Sequence, residues 1–387
     1  MERSATGSYE VASVGGEKVR AFVPHPLPPD PPLALDGKIR ERLDAALIAL
    51  GRLDGVSSLL PDVHLLLYAY VRKEAVLSSQ IEGTQSTLSD LMLFELKEAP
   101  GAPMADVVEV SNYVRAMEHG LRRIRGGFPF SNRLIREIHE VLLSRGRGAG
   151  KAPGEFRRTQ NWVGGTRPGN ARYVPPPPRR VQETMAALEK FVHDEGNIFS
   201  PLLKAGLAHV QFETIHPFLD GNGRVGRLLI TLLLCAQGVL RQPMLYLSLY
   251  FKRRRDAYYD LLDGVRRNGD WEAWIDFFAS GVAETAEAAV ATARRLTEIA
   301  ARDRDRIQRR GRAAGSAEAV HQQVQAMPIC TAARLVKRTR LTLPTVLKAL
   351  DVLEDLEVLS EVTGKQRRRV YHYDAYMKVL NEGTKPL

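Results

Sequence analysis

Helical periodicity runs through most of this chain, and it limits the possible folds more than any other feature. From Asp36 onward, apolar residues recur every three or four positions, as at Leu43, Ala46, Leu47 and Leu50. Each such segment would bury one face of a helix. Gly and Pro mark the ends of most segments. We predict a mainly α-helical protein, with further helices at roughly 62–83, 86–97, 104–125, 131–145, 180–194, 201–214, 223–237, 253–268 and 271–310.

Two regions depart from this helical pattern. The first residues, up to about 35, end in a Pro-rich run at 24–32 that predicts an extended lead-in. Residues 153–175 contain two short stretches of extended type around a Gly-rich turn, and the prolines that follow exclude helix. We therefore predict a β-hairpin flap that contains Asn161, Trp162 and Val163.

Composition and length exclude several classes of protein. A hydrophobic share of 44% and a charged share of 26% are typical of globular domains, and 387 residues predict two or three of them. The N-terminus lacks a secretory pattern, and the longest apolar stretch, 228–236, falls short of the ~20 residues that span a bilayer. We expect a cytoplasmic protein without a membrane anchor. Cys235 and Cys330 predict neither a disulfide framework nor a metal cluster.

The last quarter of the chain is basic and changes pattern. Residues 294–312 carry eight Arg against three acids, within a formal net charge of +10. From about 316, a helix, a turn, a second helix and a basic hairpin follow one another, which is the order of a winged helix-turn-helix. Thr342, Thr345, Lys348 and the hairpin arginines would then contact DNA. Protein docking or dimerisation is the alternative, as is a solvated basic surface that binds nothing.

The loop-to-helix junction at residues 216–227, with the sequence HPFLDGNGRVGR, carries the strongest chemical signal. Gly221 and Gly223 flank Asn222 where the loop becomes an apolar helix. Backbone N–H groups at such a helix N-terminus converge on an anion. The junction therefore predicts a phosphate-binding site.

Charged side chains around this junction add the rest of a phosphoryl-transfer site. Arg224 and Arg227 lie one helical turn apart and share a face near the anion. Asp220 offers a hard oxygen ligand of the kind that Mg²⁺ prefers. His216 can accept a proton from an attacking hydroxyl at neutral pH.

The same string resembles the signature of the Fic family of protein adenylyltransferases, His-x-Phe-x-(Asp/Glu)-Gly-Asn-Gly-Arg-x-x-Arg, at every defined position. The resemblance implies an enzyme that transfers AMP from ATP to a Ser, Thr or Tyr hydroxyl of a protein, itself included. It implies His216 as general base, Asp220 as the Mg²⁺ ligand and Arg227 on the γ-phosphate. The other phosphate contacts would come from Gly221, Asn222, Gly223 and Arg224.

The resemblance extends to two further regions. Tyr250, Tyr258 and Tyr259 lie where the family places adenine contacts, although Tyr258 could equally belong to the core. The flap resembles the hairpin that pairs with an extended target segment and positions its hydroxyl. A structural hairpin that covers the core is the alternative.

A second motif lies upstream. Ser78, Glu82 and Gly83 resemble the family's inhibitory motif, Ser/Thr-x-x-x-Glu-(Gly/Asn), of its N-terminally inhibited subclass. Ser78 and Glu82 share one helix face, and Gly83 can end the helix. The resemblance implies that Glu82 pairs with Arg227 in place of the γ-phosphate, so that ATP binds unproductively.

These features predict an order of domains and leave alternatives open. We expect an N-terminal region at 1–105 with the inhibitory helix at about 70–83, a Fic catalytic domain at 106–290, a basic linker helix at 291–314 and a winged-helix domain at 315–387. We also expect a homodimer. Removal of AMP, transfer of another phosphate-containing group, and a DNA-binding regulator with a vestigial Fic domain are the alternatives. Residues 146–152 lack a complete phosphate-loop motif and are interpreted as a flexible linker.

Overall fold

The computed structural model describes residues 4–59, 63–97, 101–194, 196, 199–311 and 314–386. Helices dominate, as predicted. The helices of the main body are α1 (Gly37–Leu59), α2 (Val63–Ile81), α3 (Leu88–Glu95), α4 (Met104–Arg125), α5 (Asn132–Leu142), α6 (Pro178–His193), α7 (Pro201–Ile215), α8 (Asn222–Ala236), α9 (Ser248–Arg253), α10 (Arg255–Asn268) and α11 (Trp271–Gln308). In the described ranges, no helix is long and apolar enough to cross a membrane.

The ends of these helices follow from local sequence. Thr87 and Asp90 form a capping box at the start of α3, and the Ser131 hydroxyl accepts a hydrogen bond from the first turn of α5. Gly269, at φ +72°, ends α10. The helix predicted at 253–268 is α10. It begins at Arg255, because the helical path of α9 breaks at Arg254.

The N-terminal segment corrects one prediction. In place of an extended lead-in, β1 (Gly7–Val14) and β2 (Glu17–Pro24) form an antiparallel hairpin with Val14 opposite Glu17. The turn residues Gly15 and Gly16 have φ of +58° and +84°, which suits the tight turn of a two-residue hairpin. β2 reaches the flap, since the Phe22 N–H donates to the Val174 carbonyl at 2.9 Å.

The flap is less regular than predicted. Its only described pairing is one antiparallel bridge between Val163 and Tyr173. A 3₁₀ turn at Pro168–Asn170 lies in the loop between these two residues. Gly164 and Gly165 have φ of +69° and +72° and turn the chain out of a strand. The flap is therefore a hairpin-like loop closed by a single antiparallel bridge, with less regular strand than predicted.

The C-terminal part follows α11 directly. We define the C-terminal unit as α12 (Ala314–Ala326), β3 (Ile329–Thr331), α13 (Ala332–Thr339), α14 (Leu343–Asp355), β4 (Ser360–Glu361), β5 (Val370–His372) and α15 (Asp374–Leu380). Its three strands lie in the order β3-β5-β4, all antiparallel. The predicted order of helix, turn, helix and hairpin is present, and the winged-helix interpretation stays a prediction. Much of the predicted linker, 291–308, is the second half of α11.

One hydrophobic core joins the helical body to the C-terminal unit. It extends along the chain from Leu27 to Leu380. The apolar helix α8 lies within it, and Leu228, Leu232 and Leu234 are fully buried. Because α8 begins at Asn222, this packing fixes the loop that precedes it.

Candidate active site

The loop between α7 and α8 is fixed from inside. His216 ends α7 in the left-handed region at φ +49°, and Gly221 precedes α8 at φ +78°. The Asn222 amide accepts from the Phe218 N–H at 2.9 Å and donates to the Phe218 carbonyl at 2.8 Å. Its side chain therefore holds the loop, and the backbone N–H groups at the start of α8 remain to meet an anion.

Phe218 is buried as an anchor against His139, a residue that the sequence analysis missed. The two rings stack at 3.7 Å between centroids. His139 Nδ1 accepts from the Gly154 N–H at 2.9 Å, and Nε2 lies 3.0 Å from the Asp220 carbonyl oxygen. Burial lowers the pKa of His139 to about 4. The neutral ring therefore accepts at one nitrogen and donates at the other, which positions Asp220.

His216 has the protonation state that a general base needs. Burial, with the nearby Arg157 charge, lowers the pKa of its imidazole to about 4, so the ring is neutral at pH 7. Arg157 also donates to the His216 carbonyl at 2.9 Å and to the Pro176 carbonyl at 2.5 Å. This buried arginine ties the catalytic loop to the segment that follows the flap.

Asp220 fits the ligand that Mg²⁺ would need. Its side chain is 40% exposed, and Oδ1 accepts from the Gly221 N–H at 2.6 Å and from Arg224 at 3.3 Å. Over the described residues, no group of three His, Cys, Asp or Glu side chains could hold a metal ion. One exposed carboxylate beside a phosphate site suits Mg²⁺, which is held by one or two carboxylates together with substrate phosphates.

Arg224 belongs to an ion-pair network that the sequence analysis missed. Its guanidinium donates to Glu109 at 3.1 Å as well as to Asp220. Arg147 pairs with the same Glu109 and with Asp106 at 2.7 Å. Residues 146–152, interpreted as a flexible linker, are attached to α4 beside the site through Arg147.

Arg227 is enclosed by the upstream motif. Its Nη2 lies 2.6 Å from Glu82 Oε1, its Nε donates to the Ser78 hydroxyl at 2.9 Å, and Nη2 also donates to the Ser78 carbonyl at 3.1 Å. Helix α2 ends at Ile81, and Gly83 follows at φ +98°. The Arg227 side chain is 1% exposed, whereas that of Glu82 is 37% exposed.

Glu82 and Arg227 are both charged at neutral pH. Burial alone would raise the pKa of Glu82, but the charge and hydrogen bond of Arg227, joined by Arg224, lower it below its usual value. Glu82 also lies against the start of α8, since a Cβ at Gly223 would meet Glu82 Oε1 at 2.3 Å. The carboxylate thus occupies the space directly over the glycine of the anion site.

The tyrosines lie in different places. Tyr258 is fully buried, its hydroxyl is 2.9 Å from His209 Nε2, and its ring stacks on Phe251. Tyr258 therefore packs in the core, which was the alternative to an adenine contact. The Tyr250 ring is covered by the Arg254 guanidinium, 4.0 Å from its centroid. Tyr259, the next residue, is half-buried, and its ring lies 5.1 Å from that of Tyr258 between centroids.

The predicted docking residues of the flap lie near the loop between α7 and α8. Asn161 donates to the Phe218 carbonyl at 2.9 Å, Trp162 is 37% exposed, and Val163 forms the bridge to Tyr173. The three predicted docking residues therefore lie beside the loop that carries His216 and Asp220.

Comparison with known proteins agrees with this geometry. Residues 40–122 match the family model for the Fic/DOC family N-terminal region, and residues 129–234 match that of the Fic/DOC family. Curated relatives named protein adenylyltransferase Fic include those of Culex quinquefasciatus (31% identity, covering 59% of this chain and 45% of the relative) and Aedes aegypti (31%, 63% and 46%). The chain thus spans less than half the length of these relatives.

Solved structures share the fold. A Fic family protein from Desulfovibrio desulfuricans G20 matches with a TM-score of 0.56 and 20% identity, over 88% of this chain and 97% of that one. A Fic domain containing signaling protein from Bacteroides thetaiotaomicron VPI-5482 matches with a TM-score of 0.51 and 20% identity, over 67% and 97%. The chain therefore carries a Fic/DOC family N-terminal region at residues 40–122 and a Fic/DOC family region at residues 129–234.

Proposed function

We propose that this chain is a protein adenylyltransferase that is held inactive by Glu82. The observation that carries the proposal is the 2.6 Å contact between Glu82 and Arg227, within a complete HPFLDGNGRVGR loop. A degenerate site would not need a carboxylate to neutralise its phosphate-binding arginine. The names of the curated relatives support the same activity. The proposed location is the cytoplasm.

The proposed reaction is an in-line displacement at the α-phosphorus of ATP. A Ser, Thr or Tyr oxygen of the target forms the new P–O bond, and the bond to the β-phosphate bridging oxygen breaks, so that pyrophosphate leaves. Neutral His216 takes the hydroxyl proton. The backbone N–H groups from Gly221 to Gly223 and the Arg224 guanidinium stabilise the phosphate charge. Mg²⁺ held by Asp220 would neutralise charge on the phosphates.

Inhibition follows from competition for one cation. A buried guanidinium that donates to a carboxylate and to two Ser78 oxygens has few donors left for a γ-phosphate. ATP then lacks its γ-phosphate contact, and its α-phosphate is not aligned with the target hydroxyl. Removal of the Glu82 carboxylate leaves Arg227 free to bind ATP.

Transfer of label from ATP that carries the isotope on the α-phosphate tests this proposal. Glu82→Gly should label itself or a lysate protein about tenfold more than wild type, since one charge-assisted hydrogen bond is worth about 1.5–3 kcal/mol and a side chain 37% exposed falls at the low end. His216→Ala, alone or combined with Glu82→Gly, should transfer nothing. Glu82→Ala is the matched control that removes the carboxylate without adding a second glycine beside Gly83. Folded variants that bind ATP and transfer no label would refute the activity.

Removal of AMP from a modified target is the second candidate, and the exposure of Glu82 favours it. An ionised carboxylate that is 37% exposed beside the anion site can orient an attacking water. Release of AMP from a pre-labelled protein separates the two activities. Glu82→Gly should then lose release while it gains transfer, whereas a transferase alone shows only the gain.

The proposed partner of the C-terminal unit is a protein, with a second copy of this chain included. The outward face of α14 exposes Leu343, Leu347 and Asp351. Two exposed leucines beside Lys348, which is also exposed, make this face more apolar than the polar and basic helix that reads DNA bases. DNA remains the alternative, because Arg367 and Arg368 on the wing are exposed. Binding to DNA that weakens steeply with salt would favour the alternative.

A further inference from the structure

A buried lysine beside the inhibitory motif has unusual partners. Lys252, in α9, is 5% exposed. Its ammonium donates to Gln80 Oε1 at 2.6 Å, to the Gly383 carbonyl at 3.4 Å and to the Lys385 carbonyl. Across the described residues, no carboxylate lies within salt-bridge distance of it. The charge is therefore stabilised by one side-chain amide and by two carbonyls of a segment more than a hundred residues away in sequence.

Gln80 connects this lysine to the end of the inhibitory helix. It lies in the last turn of α2, two residues before Glu82, and is 1% exposed. Its amide nitrogen donates to the Ser86 carbonyl and to the Thr384 carbonyl, each at 2.8 Å. Three hydrogen bonds thus satisfy the Gln80 amide, and two of its three partners, Lys252 and Thr384, also belong to the contact with the distant segment.

That segment, residues 381–385, is itself held in place. We call it the strap. Asn381 donates to the Ser89 hydroxyl at 3.3 Å, and Glu382 pairs with Arg295 of α11 at 2.8 Å through both carboxylate oxygens. Thr384 is 2% exposed. Because the strap begins directly after α15, a displacement of the C-terminal unit would act on it first.

We propose that the strap positions Glu82, so that the C-terminal unit controls the inhibition of the Fic site. Gln80 and Lys252 are the positioning residues, and they act through the end of α2. When the strap is in place, the Gln80 amide is fully bonded and the turn at 82–84 is held over Arg227. When a partner displaces the C-terminal unit, Gln80 and Lys252 lose their strap carbonyls, and the turn that carries Glu82 loosens. The inference rests on the proposed inhibitory function of Glu82.

The turn at 82–84 also has contacts other than those with the strap. The Glu82 N–H donates to the Ser79 carbonyl and the Gly83 N–H to the Gln80 carbonyl, both at 3.0 Å, within the turn itself. Arg255 donates to the Ile81 carbonyl at 3.2 Å from α10. The first two bonds lie within the helix end, whereas the Arg255 bond and the bonds of Gln80 to the strap join the turn to separate parts of the chain.

Two substitutions in the full-length chain test the proposal. Lys252→Met and Gln80→Leu keep apolar volume and remove the bonds to the strap. Each should raise transfer of α-phosphate label about fivefold to tenfold over wild type, as a shift of about 1–1.4 kcal/mol in the position of Glu82 would. Each should also increase amide hydrogen exchange in residues 76–84.

A Glu82→Gly background separates positioning from general damage. There, Lys252→Met and Gln80→Leu should add no further transfer, since the carboxylate that they position is gone. A merely structural role would instead lower transfer in both backgrounds. Arg338→Met is the matched control, because it removes the bond to Gln323 inside the C-terminal unit without touching the strap. It should leave exchange at 76–84 and transfer at wild-type levels.

The outcomes distinguish this inference from the proposed function. If Glu82→Gly transfers label but Lys252→Met and Gln80→Leu leave both transfer and exchange at 76–84 unchanged, the strap is refuted and the enzyme activity stands. If Glu82→Gly transfers nothing, the proposed function fails. Exchange at 76–84 then decides the strap alone, and unchanged exchange overturns it.

Discussion

Two arginines on one face of α8 are each paired with a glutamate, and the two pairs are built differently. Glu109, the partner of Arg224, lies well inside α4, is 10% exposed and is shared with Arg147. Glu82, the partner of Arg227, lies just beyond the end of α2 and is 37% exposed. A carboxylate in mid-helix moves only with the helix, whereas one on a terminal turn can leave by a local change. The first pair is therefore a fixed part of the site and the second a releasable one.

The comparison predicts that the fixed pair matters most for stability. Glu109→Leu leaves the Arg224 guanidinium, 6% exposed, with Asp220 as its remaining acid, and its Nε already lacks a hydrogen-bond partner among the described residues. We expect the free energy of unfolding to fall by about 3 kcal/mol, at the low end for a broken buried pair. Urea unfolding measures it.

The matched variant for this test is Glu82→Ala, which removes the releasable carboxylate. It should cost less than Glu109→Leu, because Glu82 is more than one-third exposed and Arg227 keeps its two Ser78 acceptors. Transfer should fall in Glu109→Leu and rise in Glu82→Ala. Equal losses of stability, or a rise of transfer in both, would show that the two pairs are equivalent.

Glu74, an acid within α2, extends the comparison to the pH dependence of stability. Glu74 is 3% exposed and accepts hydrogen bonds from Ser248 and Tyr113, and burial raises its pKa to about 7. The folded protein therefore binds a proton on Glu74 between its unfolded pKa, about 4.3, and pH 7. Stability from this group is present below pH 4.3 and is lost as pH rises to 7.

We expect Glu74→Gln to remove about 2 kcal/mol of the decrease in unfolding free energy between pH 5 and pH 8. The amide imitates the protonated acid and does not titrate. Unfolding in urea at a series of pH values measures the difference. Glu82, whose pKa is lowered by Arg227, should contribute nothing to that window, so Glu82→Gln serves as the control. A wild-type slope retained in Glu74→Gln would assign the titration to another group.

Local patterns predicted the helices, and the family resemblance predicted the contact between Glu82 and Arg227. Helix α4 begins at Met104 and ends at Arg125 as predicted, because Pro103 and Gly126 flank a continuous apolar stripe. The N-terminal hairpin was missed because the Pro-rich run was given more weight than the Gly15-Gly16 turn between strands rich in Val. The correct boundaries of α4 and the missed hairpin both depended on signals that are close together in the sequence.

Long-range polar contacts could not be predicted in the same way. Glu109 and Arg147 are far apart in sequence, and no spacing rule joins them. One signal existed, since Asp106 and Glu109 lie on the face of α4 that also buries Val107 and Val110. Buried acids need partners, so their position on an apolar face indicates a cation from elsewhere, without naming it. Lys252 bonds to backbone carbonyls of the strap. Because every residue has such a carbonyl, the sequence could not predict which ones Lys252 contacts.

The smallest expected effect concerns the residue that supports the releasable pair. Ser78 is fully buried, and its hydroxyl accepts from Arg227 Nε at 2.9 Å. Ser78→Ala removes a bond worth about 1 kcal/mol, so transfer should rise about fivefold. Ser79 is equally buried, and its hydroxyl has no hydrogen-bond partner in the described part of the chain, which makes Ser79→Ala the matched control. If both variants transfer alike, the Ser78 hydroxyl does not help to hold Arg227, and Glu82 and the Ser78 carbonyl are the contacts that do.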